Sequence, residues 1–97
     1  MFVQQINFSA DDTDAVIALA GQWADDAINN GTVLRTGLTA DLDQPGQYAW
    51  IVYFESAEAA QQNSERPETA EFATRFAELC TNGPEFRNLD VVAMWGS

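Results

Sequence analysis

The chain has 97 residues, 15 acidic and four basic side chains, a formal net charge of −11 and no histidine. The length is that of one domain, and a 46% hydrophobic content is that of a folded chain. The charge repels nucleic acid and anionic membranes, and the lack of histidine excludes Ser-His-Asp and Cys-His catalysis, imidazole metal ligands and histidine-ligated haem.

All the basic residues are arginines: Arg35, Arg66, Arg75 and Arg87. The plain consequence is a soluble acidic surface, although a guanidinium in such a chain is also a fork suited to carboxylate or phosphate. Cys80 is the single cysteine, which leaves no intramolecular disulfide and no cysteine-based zinc site. With Phe72, Phe76 and Leu79 it falls in an apolar helical stripe and reads as a buried structural thiol. No cofactor and no metal are expected. No apolar run approaches the roughly 20 residues that span a bilayer. The first residues lack the regions of a signal peptide, so a cytoplasmic location is expected.

In chain order, Phe2–Phe8 alternates and predicts a strand, with Phe2, Gln4, Ile6 and Phe8 on one face and Val3, Gln5 and Asn7 on the other. Ser9-Ala-Asp-Asp-Thr-Asp predicts a helix start, a capping oxygen followed by acids. The helix runs to about Asn29 on a stripe of Val16, Leu19, Ala20, Trp23 and Ala27, with Asp25 and Asp26 solvated. Gly31 fits the left-handed position that ends it. Thr32–Ala40 predicts the second strand, with Gly37 marking a bulge or a close backbone approach. Pro45-Gly46 fits a type II turn. It leads into Tyr48–Phe54, a central strand that is apolar on both faces.

Ser56 caps a short helix to about Asn63, and Pro67 interrupts it and opens a new one. Asn82-Gly83-Pro84 reads as the stop of that second piece, and Phe86–Trp95 as the last strand. The order is βαββαβ, the ferredoxin-like split βαβ arrangement of the α+β class, a four-stranded antiparallel sheet with its helices on one face. The other face is left uncovered and apolar, which predicts a homodimer packed sheet on sheet.

That order and the segment Tyr-x-Trp-Ile-Val-Tyr-Phe-Glu-Ser-x-Glu-Ala-Ala over residues 48–60 resemble the dimeric α+β barrel superfamily, which includes the antibiotic biosynthesis monooxygenase-like proteins. Residues 43–48, 56–69, 79–80 and 83–91 are similar to a group of small actinobacterial members. The resemblance covers nearly the whole chain. It implies a dimeric barrel and, in the cofactor-independent monooxygenases, a pocket between sheet and helices lined by tryptophan, asparagine, tyrosine and arginine. Haem-degrading relatives use a strand-one asparagine, a tryptophan ending strand three and a helix histidine. Asn7 matches the asparagine, but Phe54 stands where the tryptophan is expected and histidine is absent, which argues against haem degradation.

The site candidates are the polar and aromatic residues of strands and of the helix break. Gln5 and Asn7 are suited to hydrogen-bonding a carbonyl or phenol, or else are amides satisfied at a sheet edge or by water. Arg35 is suited to a ligand anion or to one of the many acids. Trp50, Tyr53, Phe54 and Trp95 form either an aromatic pocket or ordinary core and interface. Asn63-Ser64-Glu65-Arg66 leaves helix-end groups for a ligand, or is a plain proline kink. Glu55 and Glu58 carry no readable acid–base pairing. One functional reading is a small dimer binding an aromatic or polyketide-like molecule as a cofactor-independent monooxygenase-like enzyme, with Asn7, Arg35, Trp50, Phe54, Asn63 and Arg66 at the site. The other is a non-catalytic ligand-binding or stress-response dimer. An amino-acid-binding regulatory module shares the element order but is usually fused to an enzyme.

Overall fold

The computed structural model describes residues 1–96. The elements are β1 (Phe2–Ala10), α1 (Thr13–Asn30), β2 (Val33–Ala40), β3 (Gln47–Phe54), α2 (Ala57–Ser64), α3 (Pro67–Leu79) and β4 (Cys80–Asp90). They build the expected α+β fold. Its antiparallel sheet has the order β2-β3-β1-β4, with β3 and β1 central. Among the described residues no helix is long and apolar enough to cross a membrane.

Strand alternation divides the sheet with one exception, Val3, which is buried on the face away from the helices. Ile6 and Phe8 of β1 and Trp50, Val52 and Phe54 of β3 are buried against the helices, with Val16, Ala20, Trp23 and Ala27 of α1 and Phe76 of α3. The α1 stripe is therefore the one its sequence period implies, except that Leu19 is only partly buried. By register, the opposite face carries Val3, Gln5 and Asn7 of β1, Ala49, Ile51 and Tyr53 of β3, Arg35, Gly37 and Thr39 of β2, and Glu85, Arg87 and Leu89 of β4.

Several local expectations are corrected. The α1 cap is Asp12, whose carboxylate accepts from the Ala15 amide at 3.0 Å, while Ser9 stays in β1. The register shift in β2 lies between Val33 and Arg35, not at Gly37. The last strand begins six residues before Phe86 and ends at Asp90, so 91–96 is not strand, and Val92, Met94 and Trp95 are exposed. Asn82-Gly83-Pro84 lies inside β4, where Gly83 at φ 83° comes so close to Asn7 that an added Cβ would sit 2.8 Å from its carbonyl oxygen. Cys80 caps α3 as the first residue of β4 and is half-buried against the core. The Pro45-Gly46 turn holds, with Gly46 at φ 88°.

Gly31 is the most instructive correction. It ends α1, but at φ −115° and ψ −152° it is extended rather than left-handed. Glycine is needed there for space: an added Cβ would lie 2.6 Å from Nη1 of Arg66 and 2.8 Å from the Ala27 carbonyl oxygen. Gly31→Ala is accordingly expected to destabilise the fold by about 1–3 kcal/mol, the usual cost of overpacking. Urea unfolding of that variant measures it, and Arg66→Ala in the same chain recovers part of the loss, since removing the guanidinium relieves one of the two clashes.

Candidate functional site

Between the helix-covered face of the sheet and the α2–α3 pair lies a cavity of about 340 Å³. Its floor is Ile6 of β1 with Trp50, Val52 and Phe54 of β3, and its inner wall is Trp23, Phe72 and Phe76. Its roof is made of small side chains, Ala60 of α2 and Ala70 and Ala73 of α3. The hollow exists because alanines stand on the stretch of roof where a larger side chain would reach the floor. The lining polar groups are Gln4, Asn63, Ser64 and Thr69, and among the described residues no ionisable side chain lines it.

The aromatic wall is held edge to face. Trp50 meets Trp23 at 5.3 Å between centroids and Phe72 at 5.2 Å, each at 89°. The Trp50 Nε1 donates to Thr36 Oγ1, and the Trp23 Nε1 to Thr69 Oγ1 at 3.4 Å. Both indole N–H groups are thus taken up inside the protein. Asn63 is different. It lies in the last turn of α2, is 4% exposed, and its Oδ1 has no hydrogen-bond partner. A buried amide oxygen left without a donor costs about 1–3 kcal/mol. Arg66 Nη1 is likewise buried without a partner, and of these two residues Asn63 is the one that lines the cavity.

Of the residues singled out in the sequence, Trp50, Phe54 and Asn63 come together here. Asn7 and Arg35 lie on the opposite face of the sheet. Asn7 Oδ1 accepts from Gln5 Nε2 at 3.0 Å, and the Arg35 guanidinium sits 4.6 Å over the Tyr53 ring. Trp95, 87% exposed, is no part of the aromatic wall. Arg66 points away from the cavity toward the end of α1, where it pairs with Asp26 at 2.9 Å. Asp26 is therefore not simply solvated. Arg66 caps α3 without a side-chain hydrogen bond to it and fastens the helix break to α1, close to the Ala27 carbonyl. Sequence reasoning missed Gln4, Ala70, Ala73 and Phe86. The parity of the first strand puts Gln4 with Ile6 and Phe8, and that was the one available signal.

Burial pushes the Cys80 thiol above its ordinary range, so it is protonated at neutral pH and not a nucleophile. Among the described residues no group of three or more His, Cys, Asp or Glu side chains is gathered to hold a metal ion.

No family model matches the sequence, and no curated protein matches it. Solved structures do. SnoaB, a cofactor-independent oxygenase from Streptomyces nogalater, solved as a variant, superposes with a TM-score of 0.82 at 17% identity over 99% of this chain and 98% of that one. The Rv0793 protein of Mycobacterium tuberculosis gives 0.82 at 14% identity over 98% of each chain. A crystallised antibiotic biosynthesis monooxygenase gives 0.78 at 14% identity, covering 96% of this chain and all of that one. The fold is thus that of the antibiotic biosynthesis monooxygenase-like proteins.

The hydrogen bond from Asn30 Nδ2, at 3.0 Å, is the main cause that holds the Asp26 carboxyl below its ordinary 3.8; desolvation opposes it, and the hydrogen bond and charge of Arg66 add smaller lowering effects. A depressed folded pKa stabilises the protein above the unfolded pKa, and that contribution is lost as pH falls through the folded value. Wild type is expected to be more stable than Asp26→Asn at pH 6, with the gap closing below pH 3.8. Thermal melts of both proteins across the acid range check this.

Proposed function

We propose that this chain binds a neutral, aromatic small molecule in the helix–sheet cavity, through a hydroxyl or N–H donated to Asn63, and oxidises it as a cofactor-independent monooxygenase-type enzyme. The observation that carries the reading is Asn63, which lines a largely aromatic and apolar cavity and whose Oδ1 is buried without a partner. The ligand is neutral because a charge there would meet no counter-charge among the lining residues. A cavity of about 340 Å³ lies at the lower end of the usual ligand range. The likeness in fold to SnoaB supports the oxygenase class. The protein's contribution in that chemistry is to bind and orient a ring that itself supplies the electrons to dioxygen: one oxygen atom becomes a carbonyl on the ring and the other leaves as water with the two hydrogens of the oxidised carbon. The lack of any ionisable lining group equally favours a second reading, binding without turnover. Oxygen uptake with an anthrone, measured with and without the protein, separates the two.

We also propose that a second copy covers the open sheet face. Support comes from charge: by register that face holds Arg35 and Arg87 against Glu85, while the chain as a whole is −11. Like-charge repulsion between two acidic copies is therefore least on that face. Ile51 and Tyr53 lie half-buried at its centre.

Three outcomes are expected. The Asn63→Leu variant melts higher than wild type without ligand, because an unpaired buried carbonyl is gone. Wild type gains melting temperature with 2-naphthol and the variant does not. A wild type with no shift at millimolar 2-naphthol would sink the ligand reading. In light scattering at micromolar concentration, wild type has twice the chain mass and Ile51→Asp reverts to the single-chain mass.

A further inference from the structure

The cavity has one lip that the core does not explain, and its role rests on the ligand site proposed at Asn63. Phe86 pairs with Ile6 across β1 and β4, so its ring lies on the floor side of the sheet and lines the cavity. It is nevertheless 54% exposed, and it belongs to none of the ring pairs that knit the core together. Ala70 and Ala73 of α3 line the same cavity and are likewise exposed. β4 is an edge strand that runs directly out of α3 at Leu79–Cys80. Strand and helix are joined at that end, and Phe86 lies six residues further along the strand.

We infer that the gap between α3 and β4 is the entrance of the cavity and that Phe86 is the residue selecting the size and shape of the molecule that passes. A half-exposed phenyl leaves apolar surface in water that a flat ring sliding over it would cover. The alanine lip opposite lacks bulk, so a planar molecule enters edge-on between the methyl groups and the ring. Beside Phe86, Gln4 lines the cavity and donates to Asn88 at 3.3 Å, giving the rim a polar margin while the passage itself stays apolar. Selection is therefore for a thin, fused aromatic plane, and its width is limited by the distance from Phe86 to Ala70 and Ala73.

Stopped-flow quenching of tryptophan emission by 2-naphthol and by the wider 1-hydroxypyrene tests this in wild type, Phe86→Ala and Ala73→Phe. Both substituted positions are exposed; because a larger side chain at position 73 can also reach the cavity floor, the 2-naphthol affinity of Ala73→Phe is measured beside its rates, and association and dissociation slowed together support the entrance, whereas a loss of affinity without slowed dissociation counts against it. Wild type is expected to bind 2-naphthol in preference to 1-hydroxypyrene. Phe86→Ala shifts that preference toward the wider probe by about tenfold, the scale on which pockets discriminate by bulk. Ala73→Phe slows 2-naphthol association by about tenfold. If wild type binds 2-naphthol but Phe86→Ala leaves the preference unchanged, or Ala73→Phe leaves the association rate unchanged, the entrance is overturned and the ligand site stands. If wild type binds neither probe, the ligand site falls and the entrance with it.

Discussion

Trp50 is the constraint on which the rest of this structure depends. It sits at the centre of β3 with 1% of its surface exposed and meets Trp23, Phe72 and Phe76 edge to face. Each such pair contributes about 0.5–1.5 kcal/mol beyond the burial itself. Its N–H is tied to Thr36, so the same side chain also pins β2. The α1 and α3 helices are in turn held together through the Trp23–Phe72 stack at 5.2 Å. The standing height of α3 above the sheet is set by Phe72 and Phe76. Because that height is fixed by rings on one side of α3 while alanines occupy the other, a hollow must remain toward β4.

Arginine supplies the second layer of control. In a chain this acidic each guanidinium has many carboxylates to choose from, yet the four are placed unlike one another. Arg75 makes an exposed i,i+4 pair with Glu71, which contributes little. Arg35 lies over Tyr53, and Arg87 shares its face of the sheet by register. Arg66 is partly withdrawn from solvent in its ion pair with Asp26. Its position at the α2–α3 break fixes where α2 ends, and so where Asn63 is presented. Gly31 is a consequence of this contact: a side chain there would occupy the guanidinium's place.

The parts of the fold that were legible in the sequence share a property: their side-chain pattern and their burial coincide. The α1 stripe, the apolar β3 and the Pro67 break all meet that condition. β4 does not. Cys80–Asp90 reads CTNGPEFRNLD and has no buried side chain, because it is an edge strand defined by its backbone pairing to β1. The apolar Val91–Trp95 run drew the expected strand toward itself, although those side chains are mostly in water. The site divides in the same way. Asn63 was visible as a polar residue at a helix break, and Trp50 and Phe54 as strand aromatics. Asn7 and Arg35 were visible as strand polars, but which face of a strand the helices cover is a tertiary fact, and parity alone does not supply it. Ala70, Ala73 and Phe86 were invisible, since an alanine announces space only once its surroundings are known.

The hollow is unusual in how easily it could be closed. Its roof alanines, Ala70 and Ala73, are exposed, so longer apolar side chains there could fold down into the gap without disturbing a packed core. Filling the hollow, or replacing Asn63 by a leucine, each removes a recognised source of instability. Stabilising changes of this kind are generally available to a protein, and the cost of taking them falls on function. In a chain of 97 residues, where the buried fraction is small and stability correspondingly marginal, an open cavity and an unpaired amide on the same wall are two independent costs borne at one place. Packing explains neither of them, since Trp50 and its neighbours would hold the helices equally well over a filled floor. The molecule proposed above, covering the rings and donating to Asn63, would account for both at once.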